Sequence, residues 1–154
     1  MLAIVGMLAA MSLQVREFSY DEAQLLLKVA QAESGNQGED GMWLTMSCIV
    51  NRAESDYFPD SISEVVYQEG QFATVESGAI NDVDISPECH LALARIEAGD
   101  VAEKIIAFEN KRSSYLDKYF SRAFEFKDHR FYTNKIKGGR FDETINTVKD
   151  ASSD

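Results

Sequence analysis

The sequence predicts an α+β fold, predominantly helical, with one small antiparallel β-hairpin towards its C-terminal end. Three observations carry that reading. Three serines stand where helices should begin: Ser19 and Ser61 each precede a glutamate three positions on, and Ser86 precedes Pro87. Such a serine and glutamate satisfy each other's free backbone amides, while proline fits a first helical turn because it has no amide to leave unbonded. After these caps, apolar residues recur at steps of three and four, the period of a helix. Residues 123–127 and 129–132 instead alternate on either side of Asp128, the pattern of two strands joined by a turn.

A chain of 154 residues with 45% hydrophobic content fills one core and is short for two. We read residues 19–135 as a single domain, with an apolar segment and link at 1–18 and a polar, flexible tail at 136–154. Residues 1–11 are apolar and uncharged, which suits a signal-peptide core or one end of a membrane anchor, although they are too few to span a bilayer. An amphipathic helix docked on the domain fits them equally well.

The first helix is expected from the Ser19 cap to Glu33 or Ser34, with Gly35 supplying a left-handed close. A turn through Asn36, Gln37 and Gly38 leads into a second helix carrying Met42, Met46, Ile49, Val50 and Ala53, widened by Trp43 and Leu44. That breadth of apolar surface marks it as the central buried helix. Asn51 and Arg52 fall near its end. Pro59 breaks the pattern, because proline disfavours helical geometry in the residue before it. Ser61 then caps a short helix through Val65, Val66 and Tyr67, which Gly70 ends. Residues 71–75 read as extended and 76–85 as a loop. The Ser86 helix should run through Leu91, Ala94 and Ala98 to Gly99. Residues 105–108 fit a strand or a helix, and 113–120 a short helical turn.

Glu33 is the residue with chemistry. Its spacing from Leu26 and Val29 places it within the apolar stripe, at the negative end of the helix dipole. Both surroundings favour the protonated carboxyl, which is how a general acid is made. The plainer alternative is a carboxylate at a fraying helix end that reaches water. Cys48 and Cys89 are too few for a disulfide scaffold, and each lies in an apolar helical stretch, so buried thiols are expected, with a bridge between them as the alternative. A nucleophilic cysteine is disfavoured there, because a thiol amid apolar residues is normally inert. His90 and His129 stand apart from any ligand-spaced cluster, so neither a catalytic metal nor a cofactor is expected. With 26 acidic against 15 basic residues and a net charge of −11, the chain is no candidate for nucleic-acid binding.

Several segments recur in a recognisable order. They are Val29-Ala30-Gln31-Ala32-Glu33-Ser34-Gly35 with the turn to Gly41, Ile49-Val50-Asn51-Arg52, Phe58-Pro59, and Val65-Val66-Tyr67-Gln68-Glu69-Gly70-Gln71-Phe72. The ordered set resembles the cell-wall hydrolase family that includes the spore-cortex-lytic enzymes, with a further echo at His129-Arg130-Phe131-Tyr132. Gln31 departs from it, standing where many members have an aromatic residue. So does the segment from 104 to 126, which lacks the usual glycine-rich approach to the final strand.

The resemblance implies a lysozyme-like fold and a peptidoglycan substrate cut between N-acetylmuramic acid and N-acetylglucosamine. Glu33 would be its catalytic acid and base, Gln71 and Phe72 would line the saccharide groove, Tyr132 would face the cleft, and Asn51 would order the structure around it. Plainer readings stand beside these: a turn Gln with a core Phe, an aromatic cover for the sheet, and a polar helix terminus. Glu39, Asp40 and Asp56 read as solvated acids, so no second catalytic carboxylate is evident and a lytic transglycosylase giving 1,6-anhydro products is favoured. The alternatives are a hydrolytic muramidase of the same fold and a catalytically silent wall-binding or lysis-complex subunit. An extracytoplasmic setting follows, at the cell wall or spore cortex or in phage lysis, with the N-terminal segment as a possible membrane anchor. The net negative charge opposes simple adsorption to anionic wall polymers, so binding should depend on a specific groove.

Overall fold

The computed structural model describes residues 15–134. The apolar segment before Val15 and the whole of the polar tail lie outside the described residues, as do the anchor and flexible-tail expectations. Among the described residues no helix is long and apolar enough to cross a membrane.

Helix α1 spans Tyr20–Ser34, and its start is the expected reciprocal cap: Ser19 Oγ accepts from the Glu22 amide while Glu22 Oε2 accepts from the Ser19 amide. Leu26, Val29 and Ala30 on its inner face are fully buried. The close of this helix differs from expectation. Gly35 keeps right-handed geometry and opens a 3-10 turn over Gly35–Gln37, and the positive φ of 74° falls on Gly38. Gly35 instead leaves room for the Gln31 side chain, whose Nε2 would stand 2.3 Å from a Cβ there and would have to move.

Helix α2, Gly38–Ala53, is the buried centre of the domain. Met42, Met46, Ile49 and Val50 meet α1, while Leu44 and Cys48 turn to the sheet and pack with Ile105 and Phe131. Ser61 caps the short α3, Ile62–Val66. Residues 71–75 are not extended throughout: Phe72 is the extended cap of a single-turn helix α4, Ala73–Glu76, whose approach is held by a Gly70 amide to Glu76 Oε1 hydrogen bond. Helix α5, Pro87–Glu97, begins at the Ser86 cap. Its buried stripe is Cys89, Ala92, Leu93 and Ile96, leaving Leu91 on the outer side at 55% exposure.

The predicted hairpin is present as β2, Ser121–Phe126, and β3, His129–Thr133. It is two-thirds of a larger unit. Residues 105–110 form β1, Ile105–Asn110, which pairs antiparallel with β3 to give the order β1-β3-β2. As the central strand, β3 is covered on both faces, so Phe131 and Tyr132 are both fully buried although they point opposite ways. The hairpin tip rests on the turn between α1 and α2, where Lys127 Nζ donates to the Gln37 carbonyl and the Asp128 amide to Gln37 Oε1.

Candidate active site

Glu33 is the penultimate residue of α1 and is half-buried. Thr74 Oγ1 donates a 2.5 Å hydrogen bond to Glu33 Oε1, which fixes one carboxyl oxygen and leaves the other available. Thr74 went unremarked in the sequence because its position depends on α4, a turn with no capping signal. Changing Thr74 to Val should lower turnover by about tenfold while leaving substrate affinity nearly unchanged, since it removes one hydrogen bond to a reacting carboxyl. A matched kcat for the two proteins would show that the contact does not orient Glu33.

The loop feeding α4 is held from beneath by Arg52. From the last turn of α2 its Nε donates to the Ile106 carbonyl, and its Nη1 donates at 3.1 Å to Gln71 Oε1. Its guanidinium carbon lies 5.1 Å from the centre of the Phe58 ring and 5.6 Å from that of Phe72. Phe72 is only 3% exposed and reaches Phe108 at 6.4 Å between ring centres, so its ring supports the loop from the core side. Gln71 stays half-buried on the wall of a cavity of about 280 Å³ that extends over β1. Asn51, one residue before Arg52, donates 2.8 Å bonds to the carbonyls of Ala102 and Ile105 and so anchors the segment entering β1.

Tyr132 occupies a different neighbourhood from the one expected. Its hydroxyl donates to Glu109 Oε1, with Asp117 Oδ1 at 3.2 Å, and not to Glu33. Register explains the partner, because Tyr132 and Glu109 project from the same face of the paired strands β3 and β1. Burial, and next the bond to Glu109, push the Tyr132 phenol well above its usual range. Asp117 is held down at about 2, chiefly by its hydrogen bond from Arg122. The other carboxylates weighed in the sequence are placed as solvated acids: Glu39 and Asp40 both pair with Arg95, and Asp56 is exposed.

Cys48 and Cys89 are free, buried thiols, and burial pushes them up to about 12 and about 11. Native protein should therefore resist alkylation by iodoacetamide at pH 8 and react at both positions once unfolded; rapid native labelling at Cys48 would contradict its burial. His129 packs against Phe108 at 5.0 Å between ring centres, and among the described residues its Nδ1 has no hydrogen-bond partner. Burial lowers its pKa, with neighbouring Asp128 opposing. A histidine depressed in the folded state contributes stability above its unfolded pKa of about 6.5 that is lost as pH falls through the lower folded value. The melting temperature of His129→Phe should accordingly fall less between pH 7 and pH 5 than that of the wild type. Parallel pH profiles would remove this assignment.

Residues 36–132 match the family model for cell wall hydrolases, more than half of the chain. The chain belongs to that family, and its reading as an enzyme that cleaves cell-wall material stands on this membership. The matched stretch opens just after Glu33 and takes in Asn51, Gln71, Phe72 and Tyr132. Among curated protein sequences none matches this chain. Its fold is similar to the catalytic domain of the germination-specific lytic transglycosylase SleB from Bacillus anthracis, with a TM-score of 0.67 at 20% identity, covering 78% of this chain and 100% of that one. It is likewise similar to the catalytic domain of the Bacillus cereus SleB protein, with a TM-score of 0.66 at 18% identity over 81% and 99% of the two chains. The helical domain with its small antiparallel sheet is thus of the lysozyme-like class.

Proposed function

We propose that the protein is an extracytoplasmic peptidoglycan lytic transglycosylase with Glu33 as its single acid and base, and that residues 19–135 form the catalytic unit. The observation that carries this reading is the Thr74 hydrogen bond, which orients Glu33 at the end of α1 through one oxygen. Protonated on the other oxygen, Glu33 gives its proton to the glycosidic oxygen as the bond to the anomeric carbon breaks. The resulting carboxylate then takes the proton of the muramic 6-hydroxyl while that oxygen closes on the anomeric carbon. Proton and charge return to their starting state, and the product is a 1,6-anhydro sugar.

A hydrolytic route calls for a second carboxylate to activate water or hold the cation. Glu39 and Asp40 are engaged by Arg95, and Glu109 by Tyr132 and Ser113, so these three are committed to other partners, and Asp56 is exposed. That favours the transglycosylase over the muramidase. Family membership and the retained Glu33 favour both over a silent wall-binding subunit. In the groove, Gln71 contacts the saccharide, Phe72 backs it from the core, Asn51 orders the edge of β1, and Tyr132 shapes the far wall through Glu109.

Mass spectrometry of the products from purified peptidoglycan tests activity and outcome together. Anhydro-muramic ends, lighter by one water than hydrolysis products, are expected. Reducing muramic ends would establish the muramidase, and undigested polymer the silent subunit.

A further inference from the structure

Among the described residues Arg52 is a buried charge without a counter-charge. Arg95, Arg122 and Arg130 each pair with a carboxylate, whereas Arg52, at 6% exposure the most buried of the four, bonds only to two neutral oxygens, the Ile106 carbonyl and Gln71 Oε1. A guanidinium so placed is normally matched by an anion, because its desolvation is costly. The C-terminal end of α2 and the rings of Phe58 and Phe72 offset part of that cost. Burial nevertheless lowers its pKa, opposed by the neighbouring Cys48 thiol and by no carboxylate. Among the described residues Nη2 of Arg52 forms no hydrogen bond, and the residue borders the cavity beside Gln71. Gln71 presents its carbonyl oxygen to Arg52, and among the described residues its amide nitrogen has no hydrogen-bond partner. The cavity's own acid, Glu109, is committed elsewhere, with Oε1 on Tyr132 and Oε2 on Ser113.

We propose that this cavity is a subsite for a carboxylate of the substrate, received by Nη2 of Arg52 and the amide of Gln71. The inference rests on the peptidoglycan reading and sharpens it: the enzyme selects glycan strands by a carboxylate they carry. That group has two sources in the polymer, the stem peptides and the lactyl ethers from which peptides have been removed. Both supply the planar two-oxygen acceptor that a guanidinium matches.

The test uses the full chain and soluble, uncross-linked peptidoglycan strands in three forms: peptide-bearing, peptide-bearing with carboxylates converted to methylamides, and peptide-free with lactyl carboxylates exposed. For the wild type, KM should be about tenfold lower for a carboxylate-bearing form than for the methylamide form, with kcat little changed. Which of the two carboxylate forms shows the lower KM identifies the source. Because substitution of Arg52 would unfasten β1, the decisive variant is Gln71→Glu, which keeps an acceptor for Nη1 and sets a competing carboxylate in the subsite. It should fold with an equal or higher melting temperature and lose the distinction between the three substrates. Equal wild-type KM values on all three, or an undiminished preference in Gln71→Glu, would overturn the subsite while leaving the cleavage reading intact. Failure of the wild type to cleave any of them would instead overturn that reading and the subsite with it.

Discussion

Replacing Glu33 with Gln should reduce the clearing of a peptidoglycan suspension by about a thousandfold or more, with no fall in melting temperature. The substitution keeps size and shape, and the amide oxygen can still accept from Thr74 Oγ1, so the α1–α4 contact survives. What it removes is the ionisable proton. A glycosidic oxygen is a poor leaving group until it is protonated, and the same group must later accept the 6-hydroxyl proton, so both halves of the proposed cycle fail together. Glu33→Asp adds a useful comparison, since it retains the acid but shortens its reach and should recover only a small part of the rate. If Glu33→Gln cleared the polymer at a rate near that of the wild type, another group would be the acid and the site would have to be sought elsewhere in the fold.

The local chemistry of helix starts was legible in the sequence. Ser19, Ser61 and Ser86 cap their helices as their neighbours predict, because each cap is closed within three residues. Periodicity alone fared less well where it allowed two answers. Leu91, Ala94 and Ala98 are helically spaced, and so are Cys89, Ala92 and Ile96; the chain buries the second set against α1 and α2. The two nearby glycines divided their roles in a way that spacing could not assign, Gly35 giving room for Gln31 and Gly38 supplying the positive φ. The half-buried place of Glu33 at the end of α1 was readable from its helical spacing. Thr74, Glu109 and the uncompensated charge of Arg52 were not. Each depends on partners 19 to 54 residues away, brought close only once α2, α4 and the sheet are assembled.

Tyr132→Phe should act through stability, lowering the free energy of unfolding by about 1–3 kcal/mol, because the change strands a partly buried acceptor. In the wild type the Tyr132 hydroxyl supplies Glu109 Oε1, while Ser113 Oγ supplies Oε2 at 2.5 Å. Glu109 is thereby the joint between the central strand of the sheet and the 113–116 segment that roofs the cavity. Without the phenol oxygen, that carboxylate keeps its desolvation cost and loses a charge-assisted donor. Turnover near the melting transition should fall with the folded fraction, whereas kcat well below it should be retained within about twofold if Tyr132 touches neither Glu33 nor the reacting atoms. Pairing the change with Glu109→Gln makes the reasoning sharper. The double substitution should cost less than the two single ones added together, since the group left unsatisfied by the first is neutralised by the second. Denaturant titration of the four proteins measures this directly. Strict additivity would break the proposed joint, and a large drop in kcat with unchanged stability would return Tyr132 to the reacting centre.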